Sequence, residues 1–493
     1  MNSTQSSYRQ IVKSTSIFGG VQLINIIIQI ARSKAVAVLL GPSGMGVNTL
    51  LNTTITFIGV ITNFGLKTSA VKNVAQANSE GDSKQVAKVV TVLRRMVWLT
   101  GILGTITMLV LSPILSELNF GNKEYTLAFV WIAITLLFRQ ISSGQTVLIQ
   151  GLRKLKYLAN ATVSGSIIGL IFSVPFYYFW GFDGIVPAII VTSIANLIRT
   201  WYFSSKVRIR NIKVSKKETY NIGKEMLFMG AMLSLGAIIT KGSSFLIRIF
   251  ISNIGGVDQV GLYGAGFNLI STYVGLVFTA ISADYYPRLS SVATNKYKTV
   301  LLINQQSEIT MLILGPILTI FVVFINWVVI ILYSNEFTLI NSMIQWAALG
   351  MLFKAISWPL GFLFIVKGNS KLYLTKELLI NAVLLSLIIL GYYLGGLSGV
   401  GIAFVIGNIT NFIIVHFLAK MQYGFLIADN IKRILFIELS FVVLCFLTVK
   451  LVEDPYSFFI GSAIIIAALV YSLSEINRRV NLLDIIHRFW KKS

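Results

Sequence analysis

A chain of 493 residues that is 55% hydrophobic and only 12% charged has too little charge to cover the surface of a water-soluble protein of that size, so a soluble fold is excluded. Its formal net charge of +23 could suit a nucleic acid. In so apolar a chain, however, excess Lys and Arg collect in the loops on one side of a membrane, and no nucleic-acid partner is expected.

Residues 2–13 are polar and carry Arg9 and Lys13. The apolar stretch after them is full membrane length and lacks a small-residue cleavage site, so no cleavable signal is expected. A bilayer-spanning helix needs roughly 20 mostly apolar residues. Such stretches recur at 15–40, 44–66, 90–116, 126–149, 157–179, 182–205, 225–251, 258–283, 300–333, 338–366, 372–394, 397–419, 433–452 and 455–473. The ninth is over-long and takes in an interfacial segment. Only helices or closed barrels span lipid, and these runs are too long and too continuously apolar for barrel strands. The expectation is an all-α integral membrane protein of about fourteen transmembrane helices. The one cysteine, Cys445, lies inside an apolar run, so it packs and forms no disulfide within the chain.

Charge sets the topology. Alternate loops carry clusters such as Lys84, Lys88, Arg94 and Arg95, then Arg153, Lys154 and Lys156, then Lys213, Lys216 and Lys217. The C-terminal tail adds Arg478, Arg479, Arg488, Lys491 and Lys492, whereas the opposite loops hold only Lys123 and Lys450. This asymmetry predicts that both termini are cytoplasmic. The outer connections, Gly41 to Gly46 and Gly395 to Ser398 among them, are too short to house a catalytic domain. No phosphate-cradling glycine loop, Cys/His metal spacing or nucleophile elbow is present. An enzyme is therefore not expected, nor a metal, a cofactor or built-in ATP hydrolysis.

The chain repeats itself at an offset of about 215. The block Trp131–Ser142 matches Trp346–Ser357 in Trp, Ala, Leu, Phe, Ile and Ser, with Arg139 opposite Lys354. Gly184, Ala188 and Asn196 pair with Gly399, Ala403 and Asn411 in the same register, and Arg32 pairs with Arg248 at 216. The offset spans an even number of helices, so the two halves share one orientation. Repeats of that kind are related by an axis along the membrane normal, with substrate near mid-membrane between them. The domains expected are two six-helix lobes at 15–205 and 225–420, a basic cytoplasmic linker at 206–224, two extra helices at 433–473 and a basic tail at 474–493.

An ionisable group inside a span costs about 2.5–3.5 kcal/mol and is functional by default. Most of the deep ones here are basic: Arg32 and Arg248 in the outer half, with Arg139, Lys241 and Lys354 nearer mid-depth. Lys34 is close enough to Gly41 to snorkel to the headgroups. A lumen holding four or five positive charges selects anions. Arg grips phosphate bidentately and Lys acts as a point charge. Glu308 and Glu377, with Asp284 and Glu438, lie toward cytoplasmic ends as salt-bridge partners or, for the first two, a proton or sodium coupling site. His416 reads as a packing or interfacial residue.

Three features together resemble the Wzx-type polysaccharide flippases of the multidrug/oligosaccharidyl-lipid/polysaccharide exporter superfamily. They are Leu40-Gly41-Pro42-Ser43-Gly44-Met45-Gly46 at the first hairpin, Tyr286-Pro287-Arg288-Leu289-Ser290 after the eighth span, and the duplicated lobes. The resemblance implies a flippase of the bacterial cytoplasmic (inner) membrane. It would move undecaprenyl-diphosphate-linked oligosaccharide, such as an O-antigen or other polysaccharide repeat unit, to the outer leaflet by alternating access. Related lipid II flippases set arginines of the first helix around the diphosphate, and Ala31-Arg32 sits at a similar distance before the hairpin. The same relatives form a groove for the isoprenoid tail from two extra helices, which 433–473 resemble in placement. Expected partners are the lipid-linked glycan and membrane lipids, with a polysaccharide polymerase and a chain-length regulator as further candidates. A lipid II flippase is one alternative. A drug/cation antiporter of the same fold is another, but it would need a buried acid in the first span, and Ser14 to Leu40 contains none. A non-transporting scaffold would leave the deep cations without a purpose.

Overall fold

A computed structural model describes residues 3–207, 209 and 212–480. Arg208, Arg210 and residues 481–493, which include most of the expected basic tail, lie outside the described residues, as do the side chains of Arg9, Lys13 and Asp284. Among the described residues every regular element is helical, as expected, and 11 helical stretches are long and apolar enough to cross a membrane. This is a multi-pass membrane protein.

The chain opens with α1 (Ser3–Thr62), followed by α2 (Leu66–Ser79), α3 (Ser83–Phe120), α4 (Thr126–Gly151), α5 (Leu155–Trp180), α6 (Ile185–Ser205) and α7 (Lys216–Gly255). It continues through α8 (Val257–Asn268), a π-helical turn at Leu269–Val274, α9 (Leu276–Ser291), α10 (Lys296–Leu332), α11 (Asn341–Val366), α12 (Ser370–Tyr423), α13 (Asp429–Leu451) and α14 (Tyr456–Val480).

A straight helix of 60 residues, the length of α1, would measure about 90 Å, three times the hydrocarbon core. It therefore has to turn. Gly41 breaks it at φ 64, ψ −168, and Pro42 restarts it, the first-turn position that suits proline. The reversal is tight: a Cβ on Gly44 would lie 2.2 Å from that of Leu40, whereas helix neighbours four apart keep about 5–6 Å. α5 and α6 fold back through a 3-10 turn at Gly181–Gly184, with Gly165 against Asn196 and Gly169 against Thr192. α12 doubles back at Gly395 and Gly396, which sets Gly391 against Gly399 and Gly407 against Leu384. The connections expected at Gly41–Gly46 and Gly395–Ser398 are thus one- and two-residue breaks, shorter than the sequence suggests.

The breaks repeat. Gly41 (φ 64, ψ −168) and Gly256 (φ 92, ψ 170) have similar backbone angles, and so do Gly181 (φ 54, ψ −124) and Gly396 (φ 55, ψ −140). Gly41 to Gly256 and Gly181 to Gly396 are the same 215-residue step.

Contacts divide the chain into two units. One comprises Met1–Gly261 with Leu332–Ser334, and the other Leu262–Ile331 with Asn335–Ser493. The division falls after α7 and not in the 206–224 linker, because α7 packs on α1, α2 and α3. α2 was read from sequence as a loop. Its buried residues Leu66, Ala70, Val74 and Ala77 recur with helical spacing and join a core with Val89, Leu93 and Met226. In the second unit Tyr285, Leu289, Leu360, Phe364 and Phe425 form the corresponding core.

Candidate functional site

The second half of α1 carries Asn48, Asn52 and Thr56 four residues apart, a polar stripe on one helix face. Asn52 donates through Nδ2 to the Asn48 carbonyl at 3.0 Å and to its Oδ1 at 2.9 Å. Asn52 Oδ1 in turn accepts from Nη2 of Arg139 on α4 at 2.9 Å. Arg139 is exposed in the middle of its helix, while Ile132, Ala133 and Leu136 on the same helix are buried.

Arg32, in the first half of α1, donates through Nη2 to Thr192 Oγ1 of α6 at 2.7 Å. Its head lies beside Gly169 of α5, whose missing side chain leaves it room. Tyr177 and Arg139 both stand within electrostatic range of Arg32.

Lys241, Phe245 and Arg248 share a face of α7 at i, i+4 and i+7. Phe245 stacks on Phe57 of α1 with ring centres 4.6 Å apart, so this stripe meets the α1 half that holds Asn52. Arg248 Nη1 donates to the Ser244 carbonyl of its own helix at 2.8 Å, and Lys241 is exposed. Lys34, expected to snorkel, donates to the Tyr333 carbonyl at 2.5 Å. Lys354 belongs to the second unit and lies 5.6 Å from the Phe278 ring. An aromatic run follows from there: Phe278 to Trp358 at 5.3 Å and Trp358 to Phe362 at 5.0 Å. Four of the five expected cations thus belong to the first unit, grouped around α1.

The matched glycine breaks also test the pairing of these cations. Arg139 and Lys354 are a 215-residue step apart, in the register of the breaks. Arg32 and Arg248 are not: Arg32 stands nine residues before Gly41, Arg248 eight before Gly256. One residue is about 100° around a helix, so these two arginines do not occupy equivalent positions.

Glu308 accepts from Arg479 Nε at 2.7 Å, and Glu377 pairs with Lys376 at 2.8 Å. Lys376 is buried and lies 4.9 Å from the Tyr373 ring. Glu438 is buried without an ion pair. Ser472 donates to its Oε1 at 2.5 Å, and Oε2 is packed against Gly315. Sequence reasoning passed over Arg199, which donates to Ser164 Oγ at 2.8 Å and lies 5.1 Å from the Phe203 ring. It also passed over the Asn48–Asn52–Thr56 stripe, which its four-residue spacing could have revealed.

α1 and α8 meet through a reciprocal contact. A Cβ on Gly46 would strike the Val257 carbonyl, and a Cβ on Gly261 would strike the Pro42 carbonyl, each at 1.9 Å. Pro42 to Val257 and Gly46 to Gly261 are both the 215-residue step, so the contact exchanges equivalent positions.

The fold resembles those of solved transporter structures. An inward-facing MATE-family multidrug transporter superposes with TM-score 0.68 at 15% identity, covering 84% of this chain and 99% of that one. The lipid II flippase MurJ in an inward closed conformation superposes with TM-score 0.64 at 12% identity, covering 95% and 99%. These likenesses are of fold. By sequence, the chain belongs to the family described as polysaccharide biosynthesis protein, matched over residues 11–293. It is similar to the lipid III flippase of Escherichia coli K12, 22% identical over 354 residues that make up 70% of this chain and 82% of that protein. A putative O-antigen transporter of Shigella flexneri is 23% identical over 330 residues, 64% and 76% of the two chains.

Proposed function

We propose that this protein is a flippase for lipid-linked oligosaccharide, carrying an undecaprenyl-diphosphate-linked glycan from the cytoplasmic to the outer leaflet of the bacterial inner membrane. The observation that carries the reading is the pair Arg32 and Arg139 in the first unit, one seated on Thr192 Oγ1 and the other on Asn52 Oδ1. A diphosphate suits them, since each planar fork donates two hydrogen bonds to phosphate oxygens. In the same unit Lys241 adds a point charge and Arg248 a fork, and Asn48 and Asn52 offer partners for sugar hydroxyls. The named activities of the curated relatives agree with this class of substrate.

The duplicated lobes, 15–205 and 225–420, are part of the proposal, supported by the two matched pairs of glycine breaks. Dividing the long stretches at Gly41, Gly181 and Gly396 turns 11 candidate spans into the expected fourteen. With an even number of spans and the charge asymmetry, both termini are cytoplasmic. Alternating access would then part the reciprocal contact at Gly46 and Gly261 to release the glycan on the far side. Polymerase and chain-length regulator remain the expected partners downstream. The likeness in fold to a MATE transporter favours an antiporter as a second reading, but the first span has no acid to bind a coupling cation or a cationic drug.

The test is genetic. In a host deleted for its own flippase and supplied with the cognate glycosyltransferases, this protein restores surface glycan and Arg139→Ala does not. No surface glycan from the normally inserted protein, or full display from Arg139→Ala, would refute the assignment.

A further inference from the structure

A cavity of ≈ 750 Å³ lies in the second unit among α10, α13 and α14, well away from Lys354 in sequence and lined by different helices. Four arginines, Arg288, Arg433, Arg478 and Arg479, line it together with Glu308 and Glu475. Glu475 holds the cluster together: Arg433 Nη2 donates to its Oε1 at 3.0 Å, and Arg479 pairs with its other oxygen. Arg479 also donates to Glu308 at 2.7 Å. Glu308 and Glu475 leave one positive charge in excess among Arg433, Arg478 and Arg479. The Arg433 side chain is 58% exposed and that of Arg478 75%, and Arg478 keeps 3.9 Å from its nearest carboxylate, beyond hydrogen-bond length. Donors therefore remain for a further anion. Gln305 and Asn430 add neutral polar groups, and Leu301 and Ile434 give the same cavity apolar walls.

We propose that this cavity binds the headgroup of an anionic membrane phospholipid. Guanidiniums grip a phosphate diester with paired hydrogen bonds. Basic pockets between transmembrane helices on the cytoplasmic side take such headgroups, each Lys or Arg adding attraction. The side assignment rests on the charge asymmetry, which puts the Arg478 end of α14 in the cytoplasm. The apolar walls receive the glycerol and the start of the acyl chains. The site is distinct from the Arg32 and Arg139 pair, so the bound lipid is a resident of the membrane and not the cargo.

The experiment uses the full-length protein in nanodiscs of phosphatidylcholine with a minor fraction of phosphatidylglycerol, followed by mass spectrometry of the lipids that survive detergent washing. Wild type retains phosphatidylglycerol over phosphatidylcholine, and the double variant R433Q/R478Q binds it roughly tenfold or more weakly. Both side chains are exposed, so melting temperature should hold. Should the double variant fail to insert, Gln305→Glu places a repelling charge on the cavity wall without touching the ion-pair cluster and produces the same loss. Equal retention of phosphatidylcholine, or unchanged retention in both Arg433/Arg478 and Gln305 variants, overturns the proposal. Displacement by inorganic phosphate overturns it in favour of a free-anion site, and displacement by a polyprenyl diphosphate in favour of a station for the cargo. Neither lipid outcome depends on transport, so a protein that flips nothing can still pass.

Discussion

At the scale of single residues, the basic side chains were legible in the sequence because a charge inside an apolar run cannot be mistaken for packing. Their company was not. Nothing in the sequence says that Thr192 and Gly169 make the seat of Arg32, or that Asn52 receives Arg139. Arg139 faces open space, so Arg139→Ala should insert and fold normally yet abolish glycan display. Asn52→Ala removes a hydrogen bond to a charged group worth about 1.5–3 kcal/mol and should lower display less; the check is surface-glycan staining at matched protein level. The register of the glycine breaks makes a sharper forecast. Arg139→Ala and Lys354→Ala should be impaired to similar degrees, because they keep the 215-residue step. Arg32→Ala and Arg248→Ala should differ, because they do not. Matching losses in the second pair beside unequal losses in the first would show that sequence register, not backbone geometry, sets the equivalence. Glu308 and Glu377 were legible as ion-pair partners but not in their pairing, since Glu308 finds Arg479 across 171 residues, whereas Glu438, expected to pair likewise, accepts from Ser472.

At the scale of elements, long apolar runs translate directly into helices, although α3, α7 and α14 run seven to nine residues past the spans read from the sequence. Two features escaped. α2 looked like a charged loop because Lys67 and Lys72 stand out, although the Leu66–Ala70–Val74 face is what buries. The hairpins looked like loops because Gly and Pro suggest turns, whereas helix resumes immediately after a single glycine with positive φ. The reciprocal seat of Gly46 on Val257 and Gly261 on Pro42 leaves no room for a side chain. Gly46→Leu and Gly261→Leu should therefore each pry α1 from α8 and favour the state in which they are apart. In a Cys445→Ala background, a cysteine at Asn52 should then label faster with a membrane-impermeant thiol reagent added outside. Unchanged labelling in both would mean that this contact does not gate access. In the second unit, a Cβ on Gly315 would lie 1.8 Å from Glu438 Oε2, with the carboxyl fully buried. Overpacking of that kind costs about 1–3 kcal/mol, so Gly315→Ala should lower the melting temperature in detergent. The shorter Glu438→Asp should recover part of the loss in the double variant, because contacting sites do not add. Additive destabilisation would place the clash elsewhere.

At the scale of the whole molecule, composition alone dictated a membrane protein, and the internal repeat suggests two lobes. Which helices pack in which unit was out of reach, because α7 joins α1, α2 and α3 through side chains whose contacts span more than a hundred residues. A lipid diphosphate carries about two negative charges, and export of each is favoured by about 2.3 kcal/mol per 100 mV when the interior is negative. On the proposed function, two charges would give roughly 4–5 kcal/mol per cycle. Membrane potential alone would then suffice, with Glu308 and Glu377, already engaged by Arg479 and Lys376, carrying no coupling ion. The decisive measurement is flipping by the purified protein in liposomes loaded with a polyprenyl-diphosphate oligosaccharide, read by a lectin that reaches only the outer leaflet. The account predicts outward movement that accelerates under an outside-positive potential without any proton or sodium gradient, and none in Arg139→Ala. Movement no faster than in protein-free liposomes, or movement that ignores the potential and collapses when an ion gradient is removed, would contradict it.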